Sequence, residues 1–247
     1  MGYKTFADSC AWADAIKSNA RYDDLKPLHY VNVKRDETAI HRAVCVANPV
    51  SQASPKKLPQ CVLTAIPYYW RRIEHEQYSQ REQDQALLLF AHFVGDVHQP
   101  LHVSYADDRG GTRRQVVYQG KLLSLHYLWD TQLLYCQSVN GKRPTWRSLG
   151  RQLASVAPTK ADPAAVVVST SANISQQVQY WAQESLDITR RLYTELNARK
   201  PSVGQRSSAS PRLSKRYCAT HYPLVLSRLQ QAGIRLSQLL ESRYTRP

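Results

Sequence analysis

The chain has 247 residues, enough for one large domain with its own core. Its 43% hydrophobic and 21% charged residues exclude a disordered chain, and no apolar run approaches the roughly 18 residues of a membrane span. Lys and Arg exceed Asp and Glu by 33 to 19, and the resulting net charge of +14 favours a polyanionic partner such as nucleic acid or anionic lipid.

Taken in chain order, residues 4–18 read as a short helix with Phe6, Ala11, Trp12 and Ile16 apolar. Residues 19–60 are punctuated by Pro27, Pro49, Pro55 and Pro59 and read as mostly irregular. Two helices are expected between about Leu63 and His98, broken near Ser79, the second stopped by Gln99-Pro100. Residues 113–123, with Gln119-Gly120 between two short apolar runs, predict a small β-hairpin. Helix returns near 125–134, and further helices are expected over 145–156, 172–198 and 220–241. Residues 202–214 are rich in Ser, Pro, Gly and Arg and predict a flexible loop. The expected fold is mainly α with a small hairpin, in a single domain over 1–247.

Of the five cysteines, Cys10, Cys45, Cys61, Cys136 and Cys218, none form a Cys-x-x-Cys pair, which argues against a cysteine zinc site. Cys45 and Cys61 bracket a Pro/Ser/Lys-rich loop and are candidates for a bridge, and an odd count leaves at least one thiol free. MGYKTFADSC lacks a charged-then-apolar signal pattern. The expectation is a cytoplasmic chain, or a targeting segment upstream.

The histidines carry the chemical signal. His92 and Asp96 are four apart in AHFVGDVHQPLH, and His126 and Asp130 are four apart in LHYLWD. On a helix such pairs share a face and offer one cation an imidazole nitrogen and a carboxylate oxygen. His102 follows just past Pro100. His98 reads as a support for a ligand or as an exposed residue, and His41, His75 and His221 show no partner pattern.

AHFVGDVHQPLH, DRGG and LHYLWD, with AWADAIK and LHYVNV upstream, resemble the S1/P1 nuclease family of zinc-dependent, single-strand-specific nucleases. The resemblance is densest over 8–135. It implies a zinc phospholipase C/nuclease-like helical fold and an endonuclease that hydrolyses single-stranded RNA and DNA to 5′-phosphate products. It implies that Asp14, His29, His92 and Asp96 ligate a first zinc, that His102, His126 and Asp130 ligate a second, and that Asp96 reaches toward a third. Asp14 would also orient the attacking water, and Lys17 would stabilise transition-state charge. Tyr30 would stack on a base, and Asn32 would hydrogen-bond its edge. Gly110-Gly111 would let backbone approach the site, and Thr112 stands where the family commonly has Asn.

The family completes its third zinc with an N-terminal Trp and a nearby His. This chain begins Met1-Gly2-Tyr3-Lys4, so the expectation is two complete zinc sites in an N-terminally truncated member. The resemblance further implies a secreted or periplasmic monomer with a disulfide-permissive environment. Two alternatives stand beside it: a zinc phospholipase C-like enzyme, or an inactive truncated homologue that binds nucleic acid.

Overall fold

In the computed structural model, the structure describes residues 5–45, 59–136, 143–155, 174–198 and 210–244. The architecture is helical, as expected, and is organised around α4 (Gln80–His98). Ser79 and Glu82 form a capping box that starts this helix, the Glu82 carboxylate accepting from the Ser79 backbone N–H at 2.9 Å. At its other end, Gln99 turns extended ahead of Pro100, as a residue before proline must. Ala86, Leu89, Phe90, Phe93, Val94 and Val97 bury more than one side of α4, so the helix is enclosed by neighbours.

Among the described residues, the helices packed on it are α2 (Trp12–Ala15), α3 (Val62–Glu74), α7 (Ile174–Ala198) and α8 (Lys215–Tyr244), joined by the 3₁₀ segments Ala20–His29 and Pro100–His102. α3 buries Val62, Ile66, Tyr69, Trp70 and Ile73, a stripe at helical spacing, against α4. The remaining helices are short: α1 (Phe6–Ser9), α5 (Leu125–Asp130) and α6 (Trp146–Ser155). The single helix expected over 4–18 is instead α1, α2 and a 3₁₀ turn, Ile16–Ser18. Its interruption has a cause, because the Cys10 carbonyl accepts from the His92 ring at 3.0 Å. Residues 20–29, read as irregular, form a run of 3₁₀ structure that delivers His29 into the core.

Among the described residues, two small sheets complete the fold. β1 (Val31–Val33) lies parallel to β2 (Val103–Tyr105), with Val31 opposite Val103. Its consequence is positional: His29 and His102, each just upstream of one strand, enter side by side. The hairpin is present as β3 (Gln115–Tyr118) and β4 (Lys121–Ser124). Gln119 and Gly120 both take positive φ, 49° and 76°, which suits a tight two-residue turn. Within the segment read as a loop, Arg212–Leu213 form a strand, β5, parallel to β3, while 202–209 lie outside the described residues.

Cys45–Cys61 is bridged, and so is Cys136–Cys218, a pairing that spacing did not suggest; Cys10 is the free thiol. The first bridge fixes the start of α3. The second ties the 3₁₀ segment Gln132–Tyr135 to α8. Among the described residues, no helix is long and apolar enough to cross a membrane.

Candidate metal centre

α4 supplies the centre of the site. His92 and Asp96, one turn apart, bring Nε2 and Oδ2 within 3.2 Å of each other, and Asp96, which lines the cleft, divides its carboxylate between two groups of side chains. Asp96 Oδ2 lies 2.8 Å from His29 Nδ1 and 3.2 Å from His92 Nε2, while Oδ1 lies 3.1 Å from His102 Nδ1. The first group is Asp14, His29 and His92. Asp14 Oδ1 stands 3.5 Å from His92 Nε2 and 3.9 Å from His29 Nδ1. The second is His102, His126 and Asp130. Asp130 is 3.4 Å from His102 Nε2 and 3.0 Å from His126 Nε2. In each group, one ligand atom per residue lies within 4.8 Å of the others. The seven residues expected from the sequence to ligate metal are all brought together.

The orientation of the imidazoles follows from their outer nitrogens. His92 Nδ1 faces the Cys10 carbonyl at 3.0 Å, His102 Nδ1 the His29 carbonyl at 2.9 Å, and His126 Nδ1 the Gly110 carbonyl at 2.8 Å. A carbonyl only accepts, so each Nδ1 carries the proton and each Nε2 turns a lone pair inward. This is how proteins hold histidines that ligate metals. His29 is 2% exposed, packs edge-on against Phe93, and leaves Nε2 buried without a partner, so its Nδ1 is the nitrogen that faces the cluster.

The donor set fits a divalent cation. Lone pairs and carboxylate oxygens converge with too few protein hydrogens between them, an arrangement that repels itself unless positive charge sits inside. Burial works against charge on His92, yet Asp96 and Asp14 outweigh it and push its pKa up to about 10. Burial likewise opposes charge on His102, and Asp96 and Asp130 push it up to about 10. Burial would raise the carboxylates, but Asp96 is held well below the usual range by His102 and His92, Asp14 by His92 and Lys17, and Asp130 by His102 and His126. Nitrogen and carboxylate donors in groups of three and four suit zinc.

The surrounding cleft, about 910 Å³, is lined by Lys17, Tyr30, Asn32, Arg109, Gly110 and Thr112 beside the clusters. Lys17 does reach the site, but its Nζ is engaged with Asp14 Oδ1 at 2.5 Å. Tyr30 and Asn32 line the same wall, half-buried. Gly110 has φ +63°, and a Cβ there would stand 2.7 Å from the Leu101 carbonyl oxygen, which makes glycine obligatory beside His126. The loop before it is knotted by Asp108, which accepts from the Gly111 N–H at 2.9 Å and from the Tyr193 hydroxyl and faces Arg35. The contact with Gly111 is local to the DRGG turn, while those with Tyr193 and Arg35 lie 85 and 73 residues away in sequence and have no local signal. Gln99, whose side-chain amide donates to Asp130, was also unforeseen.

His98 is corrected to a buried structural residue. It is 2% exposed, donates from Nδ1 to the Val94 carbonyl at 2.7 Å, and accepts at Nε2 from Arg235 at 2.6 Å. Burial, with Arg228 and Arg235 beside it, holds its pKa well below the ordinary imidazole value. His221 also has a partner, Glu195 at 2.9 Å. Trp129 is 2% exposed and donates to the Tyr217 hydroxyl at 3.1 Å.

Fold and cleft together define a helical protein with a bridged imidazole–carboxylate centre of the kind that holds metal ions. The sequence profile described as S1/P1 Nuclease matches residues 2–245. Endonuclease 4 of Arabidopsis thaliana is 25% identical over 95% of this chain and 75% of its own length. Endonuclease 2 of the same plant is 35% identical over 51% of this chain and 42% of that protein, and Nuclease S1 of Aspergillus oryzae is 30% identical over 51% and 41%. The match therefore spans less than half the length of the last two relatives. The chain belongs to the S1/P1 nuclease family. That membership places it among the hydrolases of phosphodiester bonds.

Proposed function

We propose that the chain is a zinc-dependent endonuclease that cleaves single-stranded RNA and DNA to 5′-phosphate products. The observation that carries this reading is Asp96, one carboxylate facing two separate groups of histidines and aspartates. Asp14, His29, His92 and Asp96 would hold one ion, and His102, His126 and Asp130 a second. Zinc bound there neutralises phosphodiester charge and lowers the pKa of water to about 7.

The chain's own residues do the positioning. Asp14, more than half exposed at the cleft wall, accepts a hydrogen bond from the attacking water and orients it. Lys17 holds Asp14 in place and adds positive charge near the phosphorane-like transition state. Tyr30 gives an unpaired base a stacking face, an interaction worth about 1–3 kcal/mol per base. Asn32 offers an amide to the base edge. A paired base cannot reach both, which supports the single-strand preference. The two disulfides fit an oxidising compartment, so we infer a secreted or periplasmic protein.

The test is degradation of single-stranded DNA by the purified chain with zinc and with a chelator. Chelation is expected to lower the rate at least about 100-fold, since metal charge supplies several kcal/mol and each 1.36 kcal/mol is tenfold. Products should carry 5′-phosphates. Phosphatidylcholine vesicles assayed in parallel should stay intact; hydrolysis of these alone would replace the nuclease reading with a phospholipase one. No cleavage by folded, zinc-loaded protein would overturn it.

Gly110→Ala provides a second check. The added methyl must displace the loop from Leu101, and the Gly110 carbonyl then leaves the His126 ring. Metal affinity should fall about 10- to 100-fold, the usual effect of losing an outer partner of a ligating histidine. Equilibrium competition with a zinc-sensitive dye reads this directly, and unchanged affinity would count against His126 as a ligand.

A further inference from the structure

Gln99 joins three of the expected metal ligands. It closes α4 just after the turn that carries Asp96, and its backbone N–H donates to the Asp96 carbonyl at 3.0 Å. Its own carbonyl accepts from the His102 N–H at 3.0 Å, across the 3₁₀ turn Pro100–His102. The side chain is fixed from both ends of its amide. The oxygen accepts from the Leu101 N–H, and the nitrogen donates to Asp130 Oδ1, 31 residues along the chain. A backbone N–H only donates and an ionised carboxylate only accepts, so this orientation of the amide is the one that satisfies both neighbours. Gln99 is half-buried on the cleft wall, and among the described residues it is the hydrogen-bond partner of Asp130 from outside the ligand set.

The three carboxylates of the centre differ in this respect. Asp96 turns both oxygens to histidines of the set, which leaves it able to serve each group with one oxygen. Asp14 is met by a cation, Lys17. Asp130 is met by a neutral N–H on Oδ1, while Oδ2 stands 3.0 Å from His126 Nε2. A hydrogen bond on one carboxylate oxygen occupies a lone pair there and leaves the other oxygen as the better donor to a cation. Two imidazoles and a single carboxylate oxygen suit zinc, which takes few ligands. A carboxylate offering both oxygens suits manganese, which prefers oxygen-rich, six-coordinate surroundings.

We propose that Gln99 is a positioning residue that sets metal choice at the second group: by holding Asp130 Oδ1 it presents Oδ2 to the ion and favours zinc over manganese. The proposal rests on the reading of His102, His126 and Asp130 as a metal site, and is independent of what the enzyme cuts.

The experiment loads the metal-free full chain with manganese, adds zinc in steps, and follows the nitrogen NMR signals of the histidine rings. Manganese broadens the signal of a ring that it meets, and zinc restores it. His126 reports the second group and His92 the first. Gln99→Met removes the donor and the acceptor at similar volume. Gln99→Glu keeps an acceptor for the Leu101 N–H and removes only the donor, so it decides the matter should Gln99→Met fail to fold. In both variants, the zinc-to-manganese ratio that restores His126 should rise about 10-fold, the low end of the effect of losing an outer partner of a ligand, while the ratio for His92 stays unchanged. If manganese never reaches His126 in the wild type, the variants should admit it there, and its exclusion from them as well overturns the proposal. Equal weakening of zinc and manganese leaves the ratio unmoved, makes Gln99 a structural cap, and overturns the proposal. So does a shift at His92 as large as that at His126. Wild-type protein that never binds zinc at His126 sinks the metal reading of the second group and this proposal with it. Zinc bound there in the wild type, with ratios that neither variant changes, sinks the proposal alone.

Discussion

Replacing Asp96 by Asn is expected to lower kcat/KM on single-stranded DNA at least about 1,000-fold, because the ion charge that it anchors supplies several kcal/mol of transition-state stabilisation. The side chain is nearly isosteric, so packing is kept while one negative charge at the junction of both groups is lost. Its two oxygens face His29, His92 and His102 within 3.2 Å, and an amide would turn an N–H toward one of those groups. Metal analysis after gel filtration should show loss at both positions. Asp130→Asn separates the two, because His102 and His126 are the histidines that Asp130 faces, and it makes no contact with the first group among the described residues. That variant should keep the ion held by Asp14, His29, His92 and Asp96 and still lose activity. An Asp96→Asn protein that retained wild-type metal content and turnover would sink the bridging role.

How much of this was readable in advance depended on whether the determining contacts were local. α4 was, because its capping box, apolar repeat and terminal Gln99-Pro100 all lie within about twenty residues. The His92/Asp96 and His126/Asp130 pairs were also local, since helix periodicity alone puts each on one face. Asp14 and His29 were different. They sit on a four-residue helix and a 3₁₀ run that periodicity does not announce, and only motif resemblance singled them out. The break in the helix expected over 4–18 was invisible because its partner, His92, is 82 residues from Cys10. β5 escaped for the same reason, since two residues in a Ser/Pro-rich stretch become a strand only by pairing with β3. His98 was misjudged because its surroundings come from α7 and α8, more than eighty residues downstream.

Those surroundings carry the largest stability effect that we expect. Glu184 of α7 holds Arg235 with both oxygens, at 2.7 and 2.9 Å, and Arg228 at 2.8 Å. Arg228 donates from Nε to the His98 carbonyl at 3.1 Å, and Ser185 donates to the Val97 carbonyl at 2.6 Å. Together they satisfy the last carbonyls of α4, one turn from Asp96, with positive charge where the helix end is negative. The arginine side chains are 6% and 1% exposed, so Glu184→Ala strands two cations in a dry interior. Removing one partner of a buried pair costs about 3–5 kcal/mol. For a chain of this size, that is a fall in Tm of roughly 6–20 °C.

The comparison that decides the cause is Asp23→Ala. Lys26 and Asp23 also approach to 2.7 Å, but both are at least half exposed, and water screens the pair to about 0–1 kcal/mol. Calorimetric melts of the two variants in the same buffer should therefore differ by several degrees despite identical distances. Near-equal shifts would mean that the Glu184 network is solvated, and α4 would then owe its fixed end to Pro100 and the Thr189 hydroxyl, which donates to the Pro100 carbonyl at 2.6 Å. The expected large shift would instead place the anchor of Asp96 on α7 and α8, so that the two long C-terminal helices stabilise the position of a carboxylate they never touch.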